Sequence, residues 1–169
     1  MANLIRETGR GFASSLTANS SLSNSTVETT LFSQTISGGK MGTSKALKFT
    51  LYCSLTTPAL AVPTLTVKVK LGSTSLTVMS GLSLAISQTN APFNVTGLIV
   101  NKSAPNAQFT FSQIIQQSAS IPLVLTSALA DADWTVDTTT DQLFAVTAQF
   151  GSLNATTTLT FRYADIELT

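Results

Sequence analysis

The 169-residue chain carries nine Lys and Arg against eight Asp and Glu, no histidine, and a formal net charge of +1. That balance gives no electrostatic case for nucleic acid or an anionic membrane as partner. Only 10% of its residues are charged, where a typical domain carries roughly a quarter, while the 43% hydrophobic share is enough for a core and argues against disorder.

The length suits one domain. Ser and Thr take the place of the missing charges, and Thr and Val suit half-buried strands, whereas Ser and Asn suit turns and edges. A surface this neutral weakens the usual protection against association. The composition therefore points to a β-rich protein that works assembled.

Residues 1–27 read as an extended, flexible N-terminal arm, and 28–169 as the folded domain. Ala13 to Thr26 is nearly all Ser, Thr, Asn, Ala and Leu with no sustained period, and cannot offset its ordering entropy alone. Leu4, Ile5, Arg6, Arg10 and Phe12 give the first residues more adhesive character than a linker needs. They are the candidate contacts of an arm that orders on a partner, against the simpler alternative of a frayed terminus. Glu7 among the arginines and the lack of an apolar h-region argue against a secretory signal.

Strand patterns begin at Thr29. Thr29 to Ile36 precedes the glycine-rich turn GGKMG, and Lys45 to Leu55 then alternates with Leu47, Phe49, Leu51, Cys53 and Leu55 on one face. Thr64 to Leu71 repeats the alternation, with Lys68 and Lys70 outward, where they would guard a sheet edge. Gly72-Ser73 signals a hairpin into Thr74 to Met79. Phe93 to Asn101, Gln108 to Ile115, Gln142 to Phe150 and Thr156 to Leu168 complete about eight strands, the last predicting a bulge near Ala164 where its parity changes. Ser112 to Ser118 also admits a helical turn. The expected fold is all-β, a single antiparallel sandwich or jelly roll.

The lack of histidine excludes Ser-His-Asp and Cys-His nucleophiles and the usual catalytic zinc sites. Cys53 reads as a small buried hydrophobe. No catalytic, cofactor-binding or metal-binding residue is therefore assigned, and no cofactor is expected. Asp131, Asp133, Asp137 and Asp141 with Trp134 form the remaining cluster, a candidate ligand loop. Calcium or paired-carboxylate chemistry would need these groups to converge. The competing reading is a polar loop of Asx-turns, with Trp134 covering one end of the core.

The order LFSQTISGGKMGTSKALKFTLY, TLTVKVKLG, DADWTVDTTTDQLFAVTAQF and a last strand ending TFRYADIEL resembles the small jelly-roll structural domains of tailed bacteriophages, over roughly residues 29–168. The resemblance implies a virion component, made in the host cytoplasm and commonly a homotrimer. Such a protein would contact the major capsid protein or another virion protein, with no nucleic-acid or membrane partner. It implies a capsid decoration (cement) protein on the capsid surface or, alternatively, a receptor- or carbohydrate-binding domain of a head fibre, tail fibre or baseplate.

Overall fold

The computed structural model describes residues 5–7, 12–16, 20–60, 63–117 and 125–169. These form twelve strands and no helix. In chain order they are β1 (Ile5–Glu7), β2 (Phe12–Leu16), β3 (Ser21–Ser23), β4 (Thr29–Ile36), β5 (Ala46–Thr56), β6 (Thr64–Leu71), β7 (Thr74–Ser83), β8 (Ala91–Asn101), β9 (Gln108–Gln117), β10 (Leu125–Trp134), β11 (Gln142–Phe150) and β12 (Thr158–Leu168). One sheet runs β1-β2-β12-β5-β8-β9-β10, with β3 also on β12, and the other runs β4-β11-β6-β7. All pairings are antiparallel, and the two sheets form a jelly-roll-like sandwich.

The alternation read from the sequence sets the core. Leu47, Phe49, Leu51, Cys53 and Leu55 of β5 and Leu65, Val67, Val69 and Leu71 of β6 belong to one continuous apolar layer between the sheets. Four phenylalanines join the sheets. Phe144 of β11 lies 4.9 Å from Phe49 of β5, and Phe32 of β4 lies 6.2 Å from Phe144 and 5.8 Å from Phe161 of β12, measured between ring centres. Burial of the Cys53 thiol in this layer pushes its pKa up to about 12, which leaves it protonated and unreactive at neutral pH.

The eight expected strands are all present, and the bulge in β12 falls at Arg162, between Phe161 and Tyr163. That extra residue lets Phe161 and then Ala164, Ile166 and Leu168 all point inward. Gly72 adopts a positive φ of 56° in the β6–β7 hairpin, as a Gly-first turn requires. At Gly97 of β8 a Cβ would collide with the Phe111 carbonyl of β9 and lie 2.7 Å from the Phe49 ring. Only glycine allows β8 and β9 to approach so closely there.

Three readings need correction. Ser112 to Gln117 is strand, not a helical turn, because β9 is held by ladders on both sides. Leu125–Trp134 is a strand that the eight-strand reading lacks. β6 is not an edge, since β11 and β7 flank it. Its outward lysines instead bind Glu28: Lys68 Nζ donates to Oε2 at 2.8 Å, Lys70 Nζ donates to Oε1, and Thr147 Oγ1 donates to Oε1 at 2.8 Å. Within the segment read as the arm, β3 pairs with Thr158–Thr160 of β12 and Leu22 is buried, while β2 pairs with Ala164–Glu167 farther along the same edge.

The Glu28 cluster generates a pH prediction. The hydrogen bonds from Lys68, Lys70 and Thr147, in that order, hold its carboxyl at about 2, against an ordinary 4.5. A depressed carboxylate contributes stability that is complete above the unfolded value and is lost as pH falls through the folded one. The cluster is partly solvated, so about 1 kcal/mol is the expected scale. Urea unfolding of Glu28→Gln should show a deficit of that size at pH 6, closing between pH 4.5 and 2.

Candidate functional site

The five residues of the predicted ligand loop do not share a loop. Asp131, Asp133 and Trp134 belong to β10, where Ala130, Ala132 and Trp134 face the core and the two aspartates face out. Trp134 is only 5% exposed, so its ring faces are not available for stacking on a sugar. Asp133 pairs with Lys102 at 2.8 Å. Asp137 Oδ1 accepts from the Thr139 hydroxyl and backbone N–H, bonds that lower its pKa and define an Asx-turn. Asp141 Oδ1 accepts the Gly38 N–H at 2.8 Å, joining this loop to the glycine-rich turn. Among the described residues no three acidic or thiol groups converge as metal ligands.

Beneath that loop lies a buried polar knot. The Gln108 amide donates to Asn101 Oδ1, the Pro105 carbonyl and the Val136 carbonyl, and accepts the Val136 N–H. Asn101 Nδ2 in turn donates to the Gly42 carbonyl and to Thr138 Oγ1. Each connection is made of groups that would cost dearly if left unpaired in the interior. The 131–141 segment is thus positioned for structure, as one closed end of the sandwich.

Of the candidate arm residues, Ile5 and Arg6 lie in β1 and Phe12 in β2, whereas Leu4 and Arg10 lie outside the described residues.

The distinctive feature is strand β9. Its inward positions are polar: Gln108, Thr110, Ser112 and Gln116 are all buried, with Ile114 the one aliphatic among them. Its outward positions are Phe109, Phe111, Gln113 and Ile115, of which Phe109 is 36% exposed. Thr110 and Ser112 settle their hydroxyls on the Leu98 and Thr96 carbonyls of β8. The Gln116 amide, by contrast, is 1% exposed and neither of its polar atoms has a partner among the described residues. Polarity on this strand is inverted relative to β5 and β6.

Register assembles the outward residues into rows across the sheet, since facing residues of neighbouring strands share a face. One row reads Glu167, Lys48, Leu98, Phe111, Asp131, from β12 across β5, β8 and β9 to β10. The next reads Asp165, Thr50, Thr96, Gln113, Leu129, with Leu129 65% exposed. Thr50 and Thr96 share a hydrogen bond of 3.0 Å. Between the two rows lies a groove of about 260 Å³ lined by Lys48, Thr50, Thr96, Leu98, Phe111 and Gln113. Tyr52 and Tyr163, with ring centres 5.7 Å apart, occupy the same face one row farther along. The candidate aspartates stand out in the sequence by their spacing, whereas Phe109, Phe111 and Leu129 carry no comparable cluster signal. The strict alternation of polar and aromatic residues in QFTF was the available signal, read there as an ordinary strand.

No protein-family model matches the chain, and no curated protein sequence matches it. Among solved structures, it is similar to the CBM2 module of the evolved Dit of Lactobacillus casei BL23 phage J-1, at 11% identity over 80% of this chain and 67% of that one, with a TM-score of 0.33. It is similar to the infectious bursal disease virus Gt strain structure at 13% identity, over 94% of this chain and 42% of that one, with a TM-score of 0.39. Peanut lectin in complex with a 9mer peptide gives 7% identity over 99% and 84%, with a TM-score of 0.36. TM-scores this low carry no inference about the present chain.

The two buried glutamines of β9 should respond oppositely to removal of their amides. Gln116→Met replaces an unsatisfied buried amide by an apolar group of similar size, and should raise unfolding stability by about 1–2 kcal/mol. Gln108→Met unpairs several groups of the polar knot, and should lower it by about 2–3 kcal/mol. Equilibrium denaturation of both variants checks the pair.

Proposed function

We propose that the chain is a virion structural protein, in its specific form a capsid decoration (cement) protein. In this reading it binds the outer capsid surface, stabilises the particle, and works by binding, without turning over a substrate. The observation that carries the reading is the outward face of β8, β9 and β10, where Leu98, Phe111, Phe109 and Leu129 present apolar surface while the same strand buries amides and hydroxyls inside. A strand that places its polar groups in the core and its aromatic groups outside is built for a surface that becomes covered. The low charge content supports the same conclusion, as does the resemblance of the strand order to small phage structural domains.

The N-terminal segment is the part assigned to the particle. β2 and β3 occupy the free edge of β12, and so attach the segment to the sandwich. Several copies bound to one lattice would gain avidity from many weak arms. The protein should therefore co-purify with virions of the phage that encodes it and be seen on the capsid surface by cryo-electron microscopy. Deletion of residues 1–19, which leaves β3 intact, should abolish that binding. Virions free of the protein would overturn the reading, and normal decoration by the truncated chain would remove the arm from it.

The Tyr52–Tyr163 pair favours one second reading, a receptor- or carbohydrate-binding domain, because Tyr52 is 43% exposed and a paired aromatic surface can stack on a sugar ring. Under that reading a glycan array gives a signal that Tyr52→Ala reduces at least tenfold, and a blank array eliminates it.

A further inference from the structure

We infer that the outward β5–β8–β9–β10 face is covered by a second copy of this chain, in a two-fold symmetric, sheet-on-sheet dimer. The inference rests on the reading of the protein as an assembly component, names the occupant of its apolar face, and departs from the homotrimer that the resemblance implies.

The argument is one of self-complementarity. An isologous interface needs a surface whose features match themselves after a half turn. The order across the face is β5, β8, β9, β10. A two-fold axis parallel to the strands, through the gap between β8 and β9, lays β5 of one copy over β10 of the other and β8 over β9. The same axis keeps each row in register with itself. In the central row Lys48 of one copy then falls opposite Asp131 of the other, twice, and Leu98 falls opposite Phe111, twice. The row is basic, apolar, apolar, acidic, which is the sequence of characters such an axis requires.

The next row matches in the same way: Leu129 meets Thr50, and Gln113 meets Thr96 across the groove. The remaining acids of this face do not oppose the packing. Asp165 and Glu167 lie on β12, beyond the partner's β10, and stay in water. Asp133 is already neutralised by Lys102 of its own chain. An axis that set β12 over β10 would instead bring Glu167 against Asp131, so the charges favour the axis between β8 and β9 over that one.

Four strands about 4.8 Å apart and seven residues at about 3.3 Å each give roughly 400 Å² of sheet per copy in projection. That is smaller than a standard obligate interface. It fits a dimer that forms at micromolar concentration and is consolidated when many copies are held on one particle.

Sedimentation equilibrium of the full chain, with its charge-reversed variants, tests the inference. The wild-type chain should sediment as a monomer–dimer equilibrium. Lys48→Glu and Asp131→Lys should each weaken self-association at least tenfold, and the double variant should restore it, because the exchanged charges again face each other. Phe111→Ser, which empties the centre without altering charge, should weaken it similarly, and circular dichroism of each variant confirms that the sandwich is intact. A monomer at every concentration, a trimer, or a dimer indifferent to all three positions would overturn the inference. A monomeric chain that still co-purifies with virions removes the dimer and leaves the structural role, whereas a dimer absent from virions does the reverse.

Discussion

The contact that the rest of the structure depends on is the run of phenylalanines between the sheets. Phe49 and Phe161 come from one sheet, Phe32 and Phe144 from the other, and their rings meet at 4.9 to 6.2 Å with tilted planes. Aromatic pairs of this geometry add to the large area each ring buries. They also fix parity. Once Phe49 points inward, Lys48 and Thr50 must point outward, and a one-residue slip would exchange the two faces of β5 completely. On β12 the same demand is met by inserting Arg162, so that residues on both sides of the bulge can reach the core. The composition of the outer faces therefore follows from the inner contact and is not free to vary strand by strand.

Strand β9 shows how far that constraint reaches. By its own pattern, Phe109, Phe111 and Ile115 would make the better inner face. The ladders to β8 and β10 hold it in the opposite register, with Thr110, Ser112 and Ile114 facing the core. Gly97 locks that choice, because its missing side chain admits both the β9 backbone and the Phe49 ring. The cost is carried inside by hydroxyls that find β8 carbonyls, and by one amide, that of Gln116, which finds no partner among the described residues. A fold that retains such a cost gains something on its outer surface, or it would be readily improved by exchanging the two faces.

How much of this was legible in the sequence depended on whether side-chain character and side-chain direction agreed. In β5 and β6 they agree, and both strands were readable to within a residue at their ends. In β10 they do not: the inward residues Ala130 and Ala132 are too small to announce a core face, and Asp131 and Asp133 made the segment look like a loop. Trp134 was better suited to covering an end of the core than to stacking on a sugar, and its burial bears that reading out. The lysines of β6 looked like edge guards because their partner, Glu28, lies forty residues earlier. The apolar outer face is a property of register across four strands, which no single segment displays.

The two outer faces of the sandwich are not equivalent. On the β4-β11-β6-β7 sheet, Glu28 reaches over the middle of the face and gathers Lys68, Lys70 and Thr147. Under this cover the outward residues Ala145 and Thr147 of β11 are themselves buried. The aliphatic stems of the lysines supply the covering surface and their charges keep it hydrated. Among the described residues the opposite sheet has no such device over its centre: Lys48 stands at one side, Asp131 at the other, and Leu98 and Phe111 lie between them. The middle of the β4-β11-β6-β7 sheet is thus covered by its own side chains. The other carries charges of opposite sign at its two margins, and this contrast between the sheets is what the inferred two-fold packing rests on.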